Sequence, residues 1–136
     1  MIYKALHIAS GLSLREAAEF HGVSRSSIEN WVQIRRGVPP GVIEEIAALV
    51  AAQERSARES ALIAEENDGG GAIEIGYPCD DAEAIALGWP CRSAWQAMAG
   101  RFFSMLDPEK RNRVIFVPRG STLATSAAAD ASQRAR

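Results

Sequence analysis

Apolar residues recur at helical spacing through the first 66 positions, and the pattern changes to strand-like alternation only beyond residue 71. Ile2, Ala5, Leu6 and Ala9 form the stripe of a short helix over residues 2–9, ended by Gly11. Ser13 opens a second helix, running to about Phe20. Glu16, three residues on, completes a capping box in which hydroxyl and carboxylate each satisfy a free backbone N–H. A turn follows at residues 21–23. Ser24 caps a third helix to about Ile34 or Arg35, where Gly37 and Pro39-Pro40 stop it. A longer helix starts near Pro40 and runs to about Glu66. Val42, Ile43, Ile46, Leu49 and Val50 give its first half an apolar face, and Leu62 and Ile63 are weaker anchors in an Ala- and Glu-rich second half.

The stretch NDGGG at 67–71 is the clearest break. Beyond it, AIEIGY at 72–77 alternates as a half-buried strand does. Asp80 or Asp81 caps a short helix to about Leu87, and Gly88-Trp89-Pro90 breaks it. Residues 92–106 form an amphipathic helix with Trp95, Met98, Ala99, Phe102, Phe103 and Leu106 on one side, ended by Asp107-Pro108. VIFV at 114–117 is a second strand, stopped by Pro118.

These elements imply a mainly α fold with a small α+β part. A helical domain at 1–68 contains a helix-turn-helix and a long final helix. A module of two strands and two helices occupies 72–118, and a tail at 119–136, rich in small residues, is expected to be disordered. Two lone strands and two helices make no stable sheet by themselves. A second copy of the chain is the simplest source of partners, so 72–118 is expected to dimerise through Trp89, Trp95, Met98, Phe102, Phe103 and Ile115.

The segment LREAAEFHGVSRSSIENW, residues 14–31, carries the helix-turn-helix spacing. Ala18 lies where two helices cross closely, and Gly22 sits where the turn needs a positive φ. Ile28 and Trp31, three apart, share the face that packs back on the first helix. Such a unit holds its second helix out where it can enter a major groove. On the outer face of that helix, Arg25 can bond a guanine bidentately, and Asn30 or Gln33 an adenine. Ser26 and Glu29 complete the base-reading set. Ser13, Arg15, Ser24, Ser27, Arg35 and Arg36 are the phosphate candidates.

Charge refines this picture. The net charge of −2 looks unsuited to DNA, but it is segregated. Residues 1–40 hold five basic and three acidic side chains, a net +2, whereas 41–68 hold two basic and seven acidic ones, a net −5. The local field is the relevant one. A net +2 supports few phosphate contacts per copy, which again argues for two copies.

Other chemistry is sparse. No apolar run is long enough to span a bilayer and no signal-peptide pattern opens the chain, so a cytoplasmic protein is expected. Cys79 and Cys91 lack metal-ligand spacing and are read as reduced thiols. His7 and His21 are read as helix-end or surface residues, and Asp80, Asp81 and Glu83 as helix-start acids rather than a metal site. Trp89, Trp95, Phe102 and Phe103 are read as core and interface, since their helix would otherwise expose a large apolar patch; the alternative is the wall of a small-molecule pocket. No nucleophile–base pair, metal-ligand set or phosphate loop stands out, so neither an enzyme nor a cofactor is expected.

Ser27 to Trp31, Val38-Pro39 and Val42 resemble the N-terminal pattern of the anti-CRISPR-associated (Aca) regulators and related YdiL-like helix-turn-helix proteins. The likeness covers about residues 12–50, with a fainter echo near Trp95. The chain departs from the family at Ile34, where a glycine often follows the tryptophan. The resemblance implies a dimeric repressor acting on a short inverted repeat at its own operon's promoter. The function expected is therefore a homodimeric, sequence-specific transcriptional repressor of double-stranded DNA, with RNA binding left open. The alternative is an antitoxin-like adaptor whose C-terminal part binds another protein.

Overall fold

The computed structural model describes residues 1–66 and 69–119; the break residues Asn67 and Asp68, and the tail beyond Arg119, lie outside them. Seven helices and two strands follow one another: α1 (Ile2–Ser10), α2 (Leu14–His21), α3 (Arg25–Val32), α4 (Pro40–Glu65), β1 (Ile73–Tyr77), α5 (Asp81–Ala86), α6 (Arg92–Met105), α7 (Pro108–Arg111) and β2 (Val114–Pro118). The described part is mainly helical with one small sheet, and none of its helices is long and apolar enough to cross a membrane.

Local capping starts three of the seven helices, α2, α3 and α5, as the sequence implies. Ser13 accepts from the Glu16 N–H at 3.1 Å while the Glu16 carboxylate accepts from the Ser13 N–H at 2.9 Å. Ser24 accepts from the Ser27 N–H, and Asp80 from that of Glu83. Helix ends are less predictable. Gly22 ends α2 with φ +68, its N–H reaching Glu19 O while Val23 N–H reaches Ala18 O, the paired bonds of a Schellman turn. The same pair closes α3, from Ile34 to Trp31 O and from Arg35 to Asn30 O, but here Ile34 takes the left-handed position at φ +59. So α3 stops at Val32, before the Gly37 and Pro39-Pro40 expected to end it. A β-branched residue in this conformation is strained by about 1–2 kcal/mol. Ile34 is exposed, so Ile34→Gly gives up little packing. It should raise stability by about 1 kcal/mol once the extra freedom of the unfolded glycine is counted. A urea melt of the two proteins checks this.

The carbonyls at the end of α1 are all covered, and much of the cover comes from distant residues. His7 O accepts from the Ser10 hydroxyl and Ile8 O from Gly11 N–H. Ala9 O accepts from Arg101 Nη2 at 2.6 Å, and Ser10 O from Gln53 Nε2 at 2.9 Å. The same Gln53 amide, fully buried on α4, donates to Ala94 O on α6 at 3.0 Å, so one side chain joins α1, α4 and α6. Gly11 stands against α6 so closely that a Cβ there would lie 2.9 Å from Ala97 Cβ.

Two apolar clusters result. The first holds Tyr3, Leu12, Ala17, Ala18, Ile28, Trp31, Ile46 and Leu49 together with Cys91 and Ala94 from the far end of the chain. The second packs Trp95, Met98, Phe102 and Leu106 of α6 and its end against Ala57, Ala61 and Ala64 of α4 and Ile73 of β1. Trp89 packs on both. Residues 72–118 therefore complete the N-terminal core instead of standing apart beyond the glycines. Leu62 and Ile63, expected as anchors, are 60% and 70% exposed. Alanines hold that half of α4, because the bulk in the interface is supplied by α6.

The two strands are not lone. They pair with each other in parallel, Ile73 opposite Val114 through Tyr77 opposite Pro118, which leaves each with one outer edge. Asp107-Pro108 ends α6 but also begins α7, with proline in its tolerated first-turn position. Arg111 then covers the last carbonyls of α6, donating to Phe103 O and Ser104 O.

Candidate functional site

Ile28 and Trp31 fix how α3 lies. Both are buried, Trp31 with its ring edge-on to Tyr3 at 5.5 Å. Ala17 and Ala18 of α2 are buried too, and their small size lets α3 approach. On a helix with 3.6 residues per turn, Arg25, Ser26, Glu29, Asn30 and Gln33 then fall within an arc of about 140° on the other side. Arg25, Ser26 and Gln33 are exposed, and Glu29 and Asn30 half-buried. The five expected base readers thus share one outward face.

Two of them are already in contact. Arg25 Nε donates to Glu29 Oε1 at 3.2 Å, with both side chains well exposed. An exposed pair of this kind adds little stability. Its effect is on geometry, since it holds the guanidinium by Nε and leaves the terminal nitrogens for an acceptor beyond the helix. Arg15 is similarly bound to Glu19 on α2.

No protein-family model matches the chain, and no curated protein is detectably similar to it. The case for a site accordingly rests on its geometry.

The expected phosphate contacts fare unevenly. Arg35 and Arg36 are exposed just beyond α3, with no ion pair among the described residues. Ser24 and Ser27 are tied to each other at the start of α3. At the start of α2, the Ser13 N–H offered to a phosphate is taken by Glu16, whose second oxygen accepts from the Ser93 hydroxyl of α6 at 2.9 Å. Burial works to raise the Glu16 pKa, but the bonds from Ser13, Ser93 and the neighbouring Cys91 prevail and hold it below the usual carboxylate value. An ionised carboxylate at this position opposes a phosphate, so Ser13 is not available as expected.

Behind α3 lies a polar cluster that sequence reasoning missed. The His21 side chain is wholly buried, bonded through Nδ1 to Glu45 and through Nε2 to the Tyr3 hydroxyl at 3.1 Å. It ends α2, as one of the two readings has it, but its side chain is buried and not at the surface. Burial, and then the charge of Glu45, push the Tyr3 phenol up to about 12, so it stays protonated. His7 stacks on Tyr3, and its Nε2 is buried without a partner. Burial first, and then the His21 ring, lower its pKa from 6.5, against the pull of the Ser13 backbone. Folded His7 therefore resists a proton that the unfolded chain accepts. Its stabilisation is complete above about pH 6.5 and is lost as pH falls below that, by at most ~1.4 kcal/mol per unit. Melting temperature should drop between pH 7 and pH 5, and His7→Gln should flatten that drop. An equally steep drop in the variant would locate the effect elsewhere.

The residues expected to dimerise divide sharply. Trp95, Met98 and Phe102 are at most 8% exposed and fill the chain's own second core. Trp89 is half-buried between the two cores, and only Phe103 and Ile115 are exposed. Phe103 instead meets Phe116, which the sequence reading did not single out, across an open apolar groove of about 410 Å³ floored by Ala99 and Gly100. The three acids near α5 have local partners. Asp80 caps the helix, Glu83 accepts from Cys79 N–H, and Asp81 from Arg92 N–H. Cys79 is exposed and Cys91 buried, both as free thiols. Burial, then the charges of Glu16 and Asp81, push Cys91 up to about 11 despite the Ala94 N–H, so it remains a thiol.

Proposed function

We propose that the chain is a homodimeric, sequence-specific DNA-binding repressor, with α2 and α3 as a helix-turn-helix and α3 as its reading helix. The observation that carries this is the outward face of α3. Five hydrogen-bonding side chains share it on a helix anchored from behind by Ile28 and Trp31, with two unpaired arginines at its exit. Arg25 suits a guanine edge, and Asn30 or Gln33 an adenine edge. Arg35 and Arg36 suit phosphates. The net charge of +2 over residues 1–40 favours a second copy, docked one helical turn, roughly 34 Å, along an inverted repeat. The groove beside Phe103 and Phe116 is the apolar surface available to such a copy. Repression follows from occluding polymerase, and the resemblance over residues 12–50 points to the chain's own operon.

Selection from a pool of randomised duplexes tests this. A palindromic site should emerge, and Arg25→Ala and Asn30→Ala should each weaken its binding by about 1–3 kcal/mol. Arg35→Ala and Arg36→Ala should weaken every sequence alike, each reducing the salt slope by about 1. No enriched sequence, or enrichment unaffected by Arg25→Ala, rejects the reading. Sedimentation of the pure chain as a monomer would favour the protein-adaptor alternative, in which the same groove takes a different partner.

A further inference from the structure

Between α4, β1 and α6 lies a cleft of about 320 Å³, partly open to solvent. Its walls are chiefly aromatic and thioether carbon, from Trp89, Trp95, Met98 and Phe102, and no charged side chain lines it. Two hydroxyls interrupt the apolar lining, those of Ser56 and Ser60, one turn apart on α4. A serine within a helix often returns its hydroxyl to the carbonyl four residues back. Neither of these does so, and neither has another hydrogen-bond partner among the described residues. Apolar walls with a few convergent polar groups are the usual makeup of a small-molecule site, and the volume lies near the lower limit of such sites, about 300 Å³.

We propose that this pocket binds a neutral ligand of one or two fused aromatic rings bearing a hydroxyl or carbonyl, with the rings against Trp89, Trp95 and Phe102 and the oxygen on Ser56 and Ser60. An ionised ligand is disfavoured, because nothing in the lining compensates its charge. The position suggests what binding does. Trp89 belongs to both cores, and α6 carries Ser93, bonded to Glu16 at the start of α2. A ligand that moves Trp89 or α6 therefore acts on the hairpin holding the reading helix. That regulatory clause rests on the DNA-binding reading; the binding site does not.

The probe is 1-naphthol, titrated into the full chain by calorimetry and by NMR of the three tryptophan indole N–H groups. One molecule should bind per chain, shifting the Trp89 and Trp95 signals and leaving Trp31 nearly still. Naphthalene, which lacks the hydroxyl, should bind about 2–12-fold more weakly, the range of one net hydrogen bond. Ser56→Ala/Ser60→Ala should lower the affinity for 1-naphthol to that for naphthalene. Ser60→Leu, which fills the pocket with the fold retained by circular dichroism, should abolish binding of both. Absence of saturable binding, or binding that survives Ser60→Leu, overturns the site. DNA affinity unchanged at saturating 1-naphthol overturns the regulatory clause alone, and failure of DNA binding altogether leaves the calorimetry to decide the site.

Discussion

Gln53→Leu should destabilise the chain by about 2–4 kcal/mol, the result of leaving two buried carbonyls short of a donor. In the native chain one amide serves Ser10 O at the end of α1 and Ala94 O near the start of α6. Leucine matches its size and removes only the donor. The loss is partly offset, because Gln53 Oε1 is itself buried without a partner and leucine carries no such atom. The informative readout is urea unfolding followed by both tryptophan fluorescence and helical circular dichroism. Since Gln53 lies between the two apolar clusters, both probes should move together to a lower midpoint in a single transition. A change under about 1 kcal/mol would mean that the two bonds contribute little beyond what water supplies in the unfolded chain.

Gly11→Ala should be as damaging, at about 2–4 kcal/mol, for two separable reasons. A left-handed residue other than glycine is strained by about 1–2 kcal/mol. The added methyl would also meet Ala97 Cβ at 2.9 Å and Ser93 O at 3.2 Å, so α6 must retreat from α1. Retreat would loosen the Arg101 bond to Ala9 O and disturb the Ser93 bond to Glu16. Introducing Ala97→Gly alongside separates the two reasons. It should recover the part due to Ala97 Cβ, seen as a coupling of about 1 kcal/mol in a double-mutant cycle, and leave the Ser93 O contact and the dihedral part in place. Coupling near zero would show that the helices yield freely at this point.

What could be read in the chain follows from how far each signal acts. The starts of α2, α3 and α5 were legible at Ser13, Ser24 and Asp80, since a cap joins side chain to backbone within three residues. The end of α3 was not, because Ile34 holds a conformation that glycine ordinarily marks. The outward face of α3 could be derived from helical period plus the burial of Ile28 and Trp31. Distant partners could not. Polarity placed His21 at a helix end or the surface; it does end α2, but Tyr3 and Glu45, 18 and 24 residues away, make its buried imidazole tolerable. Hydrophobicity chose Leu62 and Ile63 over Ala57, Ala61 and Ala64, although contact with the bulky face of α6 requires small residues. Alternation located β1, and an apolar run stopped by Pro118 located β2, but neither said anything about their pairing, which is a property of the intervening helices. The ring-rich stretch of α6 was read as both core and interface, and most of it fills the core of its own chain.

The parallel pairing of β1 with β2 also imposes an order on synthesis. Ile73 and its partner Val114 are 41 residues apart. At about 5–20 residues per second, a ribosome makes Val114 some 2–8 seconds after Ile73. For that interval a nascent chain carries β1 with no β2 to pair with it. The pairing edge of β1 therefore stays unmet until α5, α6 and α7 have all been made, so the sheet is the last part of the described fold to close.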